Sequence, residues 1–255
     1  MTRVIKVGGR PQSDPRLAGA LASGWDRGTG GLVLVHGGGD EVSTLQAALG
    51  GSTTFIDGRR VTSAHDVELV RMALSGSANK RLVSALVERG INAVGLSGED
   101  AALIAAVPVD AARLGHVGIP DVINVAFLRH LLSGGYLPVI SPVSRDGSGT
   151  LGAALNVNGD DAAAAIAVAL RASGLLLVSD VAGVMRDGVV LHDLTIEDAR
   201  RFLADGTAVG GMHAKLQAAL RALEGGVQCV RISDIAAITD VRRGTLLRRM
   251  GELAA

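Results

Sequence analysis

The sequence predicts an α/β protein with a mainly parallel sheet covered on both faces. Short β-type runs alternate with longer stretches of helical period, and the runs are apolar on consecutive residues, as expected of strands buried on both faces. Gly-rich turns follow several of them. In chain order the strands are Val4–Val7, Leu32–Val35, Ala93–Leu96, Leu137–Ile140, Leu175–Val178 and Gln228–Ile232. The intervening helical patterns cover Pro15–Ser23, Glu41–Leu49, Ala64–Arg89, Ile123–Leu132, Asp160–Arg171, Ile196–Ala204 and Lys215–Glu224. Two segments break the alternation. Phe55–Thr62, with Asp57-Gly58 at its centre, and Arg145–Val157, with Asp146-Gly147, read as hairpins. Such sheets use right-handed crossovers and bind ligands beyond the carboxyl ends of their strands. A second lobe is expected from residue 174, giving a division into 1–173 and 174–255.

Composition excludes several classes. Net charge is +0 and the pI about 7.0, so no global electrostatic footprint for nucleic acid or an anionic membrane exists. The one cysteine, Cys229, excludes an intramolecular disulfide, reads as a buried strand residue and makes the cytoplasm the expected compartment. No signal peptide is expected, and no apolar run is long enough to span a bilayer. Aromatics are 2% of the chain, so the core must be built from Ala, Val, Leu and Ile.

Of 25 basic residues only three are lysine: Lys6, Lys80 and Lys215. Lys6 stands between an apolar run and Gly8-Gly9. Lys215 follows Gly210-Gly211 and is expected to open a helix, an unfavourable end for a cation unless an anion docks there. Gly8-Gly9, Gly37–Gly39 and Ser179-Asp180 with Gly183 each follow a strand, and His36–Gly39 before a helix fits an anion cradle. Asn156, Asn158, Asp160 and Asp161 precede an Ala-rich helix; an N-cap explains one acid better than it explains the cluster. No lysine follows a glycine, which removes a Walker A loop. The G-x-G-x-x-G at Gly147, Gly149 and Gly152 neither closes a strand nor opens a helix, so it reads as a hairpin turn. The six histidines lack metal-ligand spacing, and no nucleophile elbow is present.

Ten motifs then fall in order along the chain: IKVGG, LVHGGG, DGRRVT, GSANKRLV, AVGLSGED, LGHVG, GYLPVISPV, LNVNGDDAAAAIA, LLLVSDVAGVM and VGGMHAKLQAAL. On these the chain resembles the amino acid kinase family, and within it the N-acetylglutamate kinases. The resemblance implies an open αβα sandwich with a sheet of about eight strands. The lobe 1–173 would bind the acceptor and form the dimer interface, and 174–255 would bind ATP. It implies MgATP-dependent phosphorylation of the side-chain carboxylate of N-acetyl-L-glutamate, a step of arginine biosynthesis. By position, Lys6 and Lys215 match the lysines that stabilise the transferring phosphoryl group, and Asp160 the aspartate that orients them. Gly38, Gly39, Arg60 and Asn156 match acceptor contacts. Gly8, Gly9, Ser179, Asp180, Val181, Ala182, Gly183, Val184 and Met185, with Thr207, Ala208 and Val209, match the nucleotide site. Magnesium would arrive with ATP rather than in a protein-held site. Gly159 stands where relatives usually have Ala. The alternatives are a kinase acting on carrier-linked aminoadipate and a catalytically silent regulatory member. The first strand begins near residue 3, leaving no room for the N-terminal helix of arginine-controlled members, so the expectation is a homodimer indifferent to arginine.

Overall fold

The computed structural model describes residues 1–25, 31–56 and 58–248. The strands are β1 (Arg3–Val7), β2 (Leu32–His36), the hairpin β3 (Phe55–Ile56) and β4 (Arg59–Arg60), β5 (Ala93–Gly98), β6 (Ile104–Pro108), β7 (Val117–Ile123), β8 (Leu137–Asp146), β9 (Ala154–Val157), β10 (Gly174–Val178), the ribbon β11 (Met185–Arg186) and β12 (Val189–Val190), β13 (Asp193–Thr195), β14 (Cys229–Ser233) and β15 (Thr245–Arg248). One sheet takes eleven of them in the order β13-β15-β14-β10-β1-β2-β8-β6-β7-β9, with β5 also paired to β8. Its centre is parallel: β10, β1, β2 and β8 run side by side.

The sheet is larger than the eight strands expected. The additional strands are mostly at its margins and pair antiparallel, β6 with β7, β8 with β9 and β14 with β15. In β7 the sequence VGIPDVI contains Pro120, which cannot donate to a ladder. The register accordingly shifts at Ala105/Ala106, opposite it. The expected hairpin at 55–62 forms between β3 and β4, although Asp57 of its turn lies outside the described residues. The second forms as β8–β9. In its turn Asp146 accepts N–H bonds from Ser148, Gly149, Leu151 and Gly152. Burial would raise its carboxyl, but the Ser148 hydroxyl and these N–H bonds outweigh it and hold it down at about 2. The three glycines of the G-x-G-x-x-G therefore serve this turn.

The helices are α1 (Gly9–Gln12), α2 (Leu17–Gly24), α3 (Gly39–Ala48), α4 (Ala64–Val70), α5 (Asn79–Val87), α6 (Ala111–Leu114), α7 (Val125–Ser133), α8 (Gly159–Leu170), α9 (Ile196–Ala204) and α10 (Gly210–Glu224). The single helix expected over 64–89 is continuous, but its middle, Arg71–Ala78, is widened into a π-helix. Cys229 is only partly buried, a correction to the buried position expected of it. Two apolar layers sandwich the sheet. One joins Val4, Val33 and Val35 to the Ala-rich face of α8 and to Leu216 and Leu223 of α10. The other joins Ile5, Val7, Leu32 and Leu34 to Leu17 and Leu21 of α2 and Leu82 and Leu86 of α5. No helix among the described residues is long and apolar enough to cross a membrane.

Candidate active site

Strand alternation places Lys6. Successive side chains of β1 point to opposite faces. Val4 faces the α8–α10 layer and Ile5 and Val7 the other, so Lys6 enters the α8–α10 side at the carboxyl end of the central strand. There it meets Asp160, from the first turn of α8, with Nζ 2.9 Å from Oδ1. Lys215 approaches the other carboxylate oxygen from α10, 3.5 Å away. Small side chains make this possible: Ala162, Ala163, Ala164 and Ala167 on α8, with Ala218, Ala219 and Ala222 on α10, keep backbones close. Helix α10 begins at Gly210, five residues before the expected start. Lys215 therefore lies in its second turn, beyond the reach of the end charge. Its partner is Asp160, and the helix-terminus argument for it does not hold.

All three groups are buried. Burial drives the Lys6 ammonium below its usual range, and the Lys215 charge adds to this, against the pull of Asp160. Burial alone would raise the Asp160 carboxyl, but the two ammonium groups outweigh it and hold it below 3.8. The result is one carboxylate between two lysines, a cluster with surplus positive charge opening onto a cavity. The third lysine, Lys80, is elsewhere and donates to the Asn79 side chain and the Gly95 carbonyl.

The glycine turns crowd around this cluster. A Cβ on Gly8 would lie 3.7 Å from Lys6 Nζ, and one on Gly159 only 3.1 Å from Lys6 Cε. Glycine at 159 thus leaves room for the lysine stem. His36, at the start of the expected anion cradle, fixes the next loop. Its Nδ1–H donates to the Gly37 carbonyl at 2.9 Å and Nε2 accepts from Asn79 at 3.1 Å. Burial pushes its pKa down to about 4, so the ring is neutral and structural. Gly38 has φ of +142°, and a Cβ there would meet Leu74 of the π-segment at 2.7 Å. Gly38→Ala is expected to cost about 1–3 kcal/mol and lower the melting temperature by about 3–10 °C. Thermal unfolding checks this; a variant as stable as the parent would show that the loop is not so constrained.

A cavity of about 760 Å³ opens beside Lys6 and Asp160, lined by these two and by Gly38, Gly39, Arg60 and Asn156 among others. Its lining holds two of the three expected catalytic residues, Lys6 and Asp160, with all four expected acceptor contacts; Lys215 is not in the lining and joins the cluster through Asp160. Arg60 is 9% exposed. Its guanidinium donates to the Gly39 carbonyl, Ser43, Thr53 and Gln46, and lies 5.0 Å from the Phe55 ring centroid. Every one of these partners is neutral, and no carboxylate among the described residues forms a salt bridge with it. Burial, working against the more distant Asp66 and Asp40, lowers its pKa. A buried cation held by neutral groups is costly unless an anion completes it. Asn156 donates to Thr62 at 3.0 Å.

The expected nucleotide residues flank this cavity on two sides. Gly9 lines it directly. Ser179 and Asp180 line a neighbouring cavity of about 520 Å³ that shares Arg10 with it, and Arg10 donates to Asp180 at 3.1 Å. Ala208 and Val209 line a third, of about 450 Å³, which shares Gly58, Arg59, Asn158 and Gly210 with the first. Thr207 and Met185 are exposed, Val181 is partly buried and Ala182 is exposed. Val184 is an exception: its side chain is in the core and its N–H donates to Thr245 Oγ1 at 2.8 Å. Gly183 packs against the same threonine. Thr245 thus anchors this loop. Among the described residues no three His, Cys, Asp or Glu side chains converge as a metal site, and Asp160 is already matched by two lysines.

The sequence profile of the amino acid kinase family matches residues 1–234. The acetylglutamate kinase of Chloroflexus aurantiacus is 42% identical over 239 residues, 93% of each chain. That of Geobacillus sp. WCH70 is 40% identical over 233 residues, 91% of this chain and 89% of the relative. Among solved structures, the protein smu.665 of Streptococcus mutans superposes with a TM-score of 0.85 at 28% identity, covering 97% of this chain and 98% of its own. With nearly its whole length matched by these relatives, the chain belongs to the amino acid kinase family.

Proposed function

We propose that this chain is an acetylglutamate kinase, transferring the γ-phosphoryl group of ATP to the side-chain carboxylate of N-acetyl-L-glutamate. The observation that carries the reading is the buried Lys6–Asp160–Lys215 cluster, whose Lys6 and Asp160 line the same cavity as Arg60. A carboxylate acceptor is ionised at neutral pH, since a free Glu side chain titrates near about 4.3. It needs no general base, and the neutral His36, with both ring nitrogens engaged, provides none. An acceptor oxygen attacks the γ-phosphorus as the bond to the β-phosphate oxygen breaks, and ADP leaves with that electron pair. Charge spreads over the equatorial oxygens in between, where two fixed ammonium groups are worth most. Arg60 offers a planar fork to the acceptor's α-carboxylate. Asn156 and the Gly38-Gly39 backbone hold the rest, and Asp160 keeps the lysines apart and aimed.

Residues 1–173 carry the acceptor side and 174–255 most of the nucleotide side, with Gly8-Gly9, Ser179–Met185 and Thr207–Val209 as nucleotide contacts. Magnesium enters with ATP, because the carboxylate here is already neutralised. On the same reading the enzyme is a cytoplasmic homodimer of arginine biosynthesis. The test is an acceptor panel read as acyl hydroxamate. N-acetyl-L-glutamate is expected to give product, and free glutamate and carrier-linked aminoadipate little. Turnover of the carrier-linked substrate alone, or binding of ATP and acetylglutamate without product, would replace this reading with one of its alternatives.

A further inference from the structure

We propose that Asp161 is a positioning residue, tying the Phe55–Arg60 hairpin to α8 and α10 and thereby fixing Arg60 relative to Lys215. The proposal rests on the acetylglutamate reading of the cavity. Asp160 and Asp161 are consecutive on α8, so their side chains diverge by about 100° around the helix. Asp160 turns to the two lysines. Asp161 turns away from them and accepts from arginines of two other elements, Arg59 of β4 at 3.3 Å and Arg221 of α10.

The geometry makes this more than a surface ion pair. The Asp161 side chain is only 7% exposed and that of Arg59 22%, so the pair is largely screened from water. Truncating one partner of a pair that buried is far more disruptive than breaking an exposed one. The hairpin has two paired residues on each strand and forms a sheet of its own, so it is not stable by itself. Its hold on the molecule comes from adjacent side chains: Arg60 grips α3 through Gly39 and Ser43, and Arg59 grips α8 through Asp161. Arg59 also lines both the main cavity and the neighbouring one at Ala208 and Val209. One carboxylate therefore links the acceptor-facing hairpin to the helix that carries Lys215, from just outside the reacting centre.

The test compares Arg59→Met, Asp161→Asn and the double variant in the full chain, with N-acetyl-L-glutamate and ATP as substrates. Each single change is expected to raise the acceptor KM about tenfold, more than it raises the ATP KM or lowers kcat. The double variant should be no worse than Asp161→Asn alone, because both remove one link, and Asp161→Glu should recover part of the loss. A folded Arg59→Met variant with parental acceptor KM, or single effects that multiply in the double, would overturn the proposal. If Asp161→Asn does not fold, Arg59→Met decides alone. If the parent phosphorylates no acyl amino acid, the functional reading fails instead. The link is then read without substrate: amides of the 55–60 hairpin should exchange faster in Arg59→Met, and unchanged exchange would overturn it.

Discussion

Lys6→Arg and Lys215→Arg are each expected to lower kcat by about 10²–10³-fold, with much smaller changes in either KM. Charge is kept in both variants, so the loss isolates shape. An ammonium is a compact point charge, whereas a guanidinium is a wide planar fork. Lys6 has no space for a fork: hypothetical Cβ atoms on Gly8, Gly37 and Gly159 come within 4.0 Å of its terminal atoms, and Asp160 closes another side. An arginine there would displace the glycine turns or swing away from the phosphoryl group. Lys215 is equally buried and shares the same carboxylate, so a displaced fork at either position disturbs both. Hydroxamate formation at saturating substrates measures the effect. Full turnover by Lys6→Arg would remove this lysine from the chemistry.

Asp160→Asn is expected to cost about 3–5 kcal/mol of stability at neutral pH, since it leaves two buried cations without an anion. For a chain of this size that is a fall of about 10 °C in melting temperature. The pH dependence is a sharper check. Burial raises the Asp160 carboxyl, but Lys6 and Lys215 prevail and hold it below 3.8. A carboxyl depressed in the folded state contributes stability above its unfolded pKa, and that stability is lost as pH falls through the folded value. The gap between parent and Asp160→Asn should therefore be full from neutrality down to about pH 5 and then narrow in acid. A gap that stays constant from pH 7 to pH 3 would show that the Asp160 charge is not what the lysines need. Turnover should fall along with stability, through misaligned lysines.

Much of this was legible in the sequence, for definable reasons. The central strands announce themselves because they are buried on both faces, and LVLV or LLLV has no other place to go. Helix Ile196–Ala204 was placed to the residue, its Thr195 cap being a local signal. The marginal strands were not legible: β6 and β7 mix Ala, Pro and Asp, and pairing with each other and with β8 and β9 makes them strands. The start of α10 was misplaced because Gly210 and Gly211, read as a turn, are its first residues. At the site, Lys6, Asp160, Lys215 and Arg60 carry chemistry in their residue types and could be named. The roles of Asp161, Arg59, His36, Asn79 and Thr245 could not be read, because they are contacts with residues far away in sequence. Asp161 stands out in the sequence as part of a polar cluster that an N-cap does not explain, but its partners Arg59 and Arg221 appear only in the fold.

The pairing of β1 with β10 has a mechanical consequence. Five residues of each, Arg3–Val7 and Gly174–Val178, lie in register across the boundary proposed at residue 174. A jaw that opens about a flexible linker is thereby excluded, because opening there would unzip the middle of the sheet. Lys6, near the end of β1, therefore stands on backbone laddered to β2 on one side and β10 on the other, in the middle of the sheet.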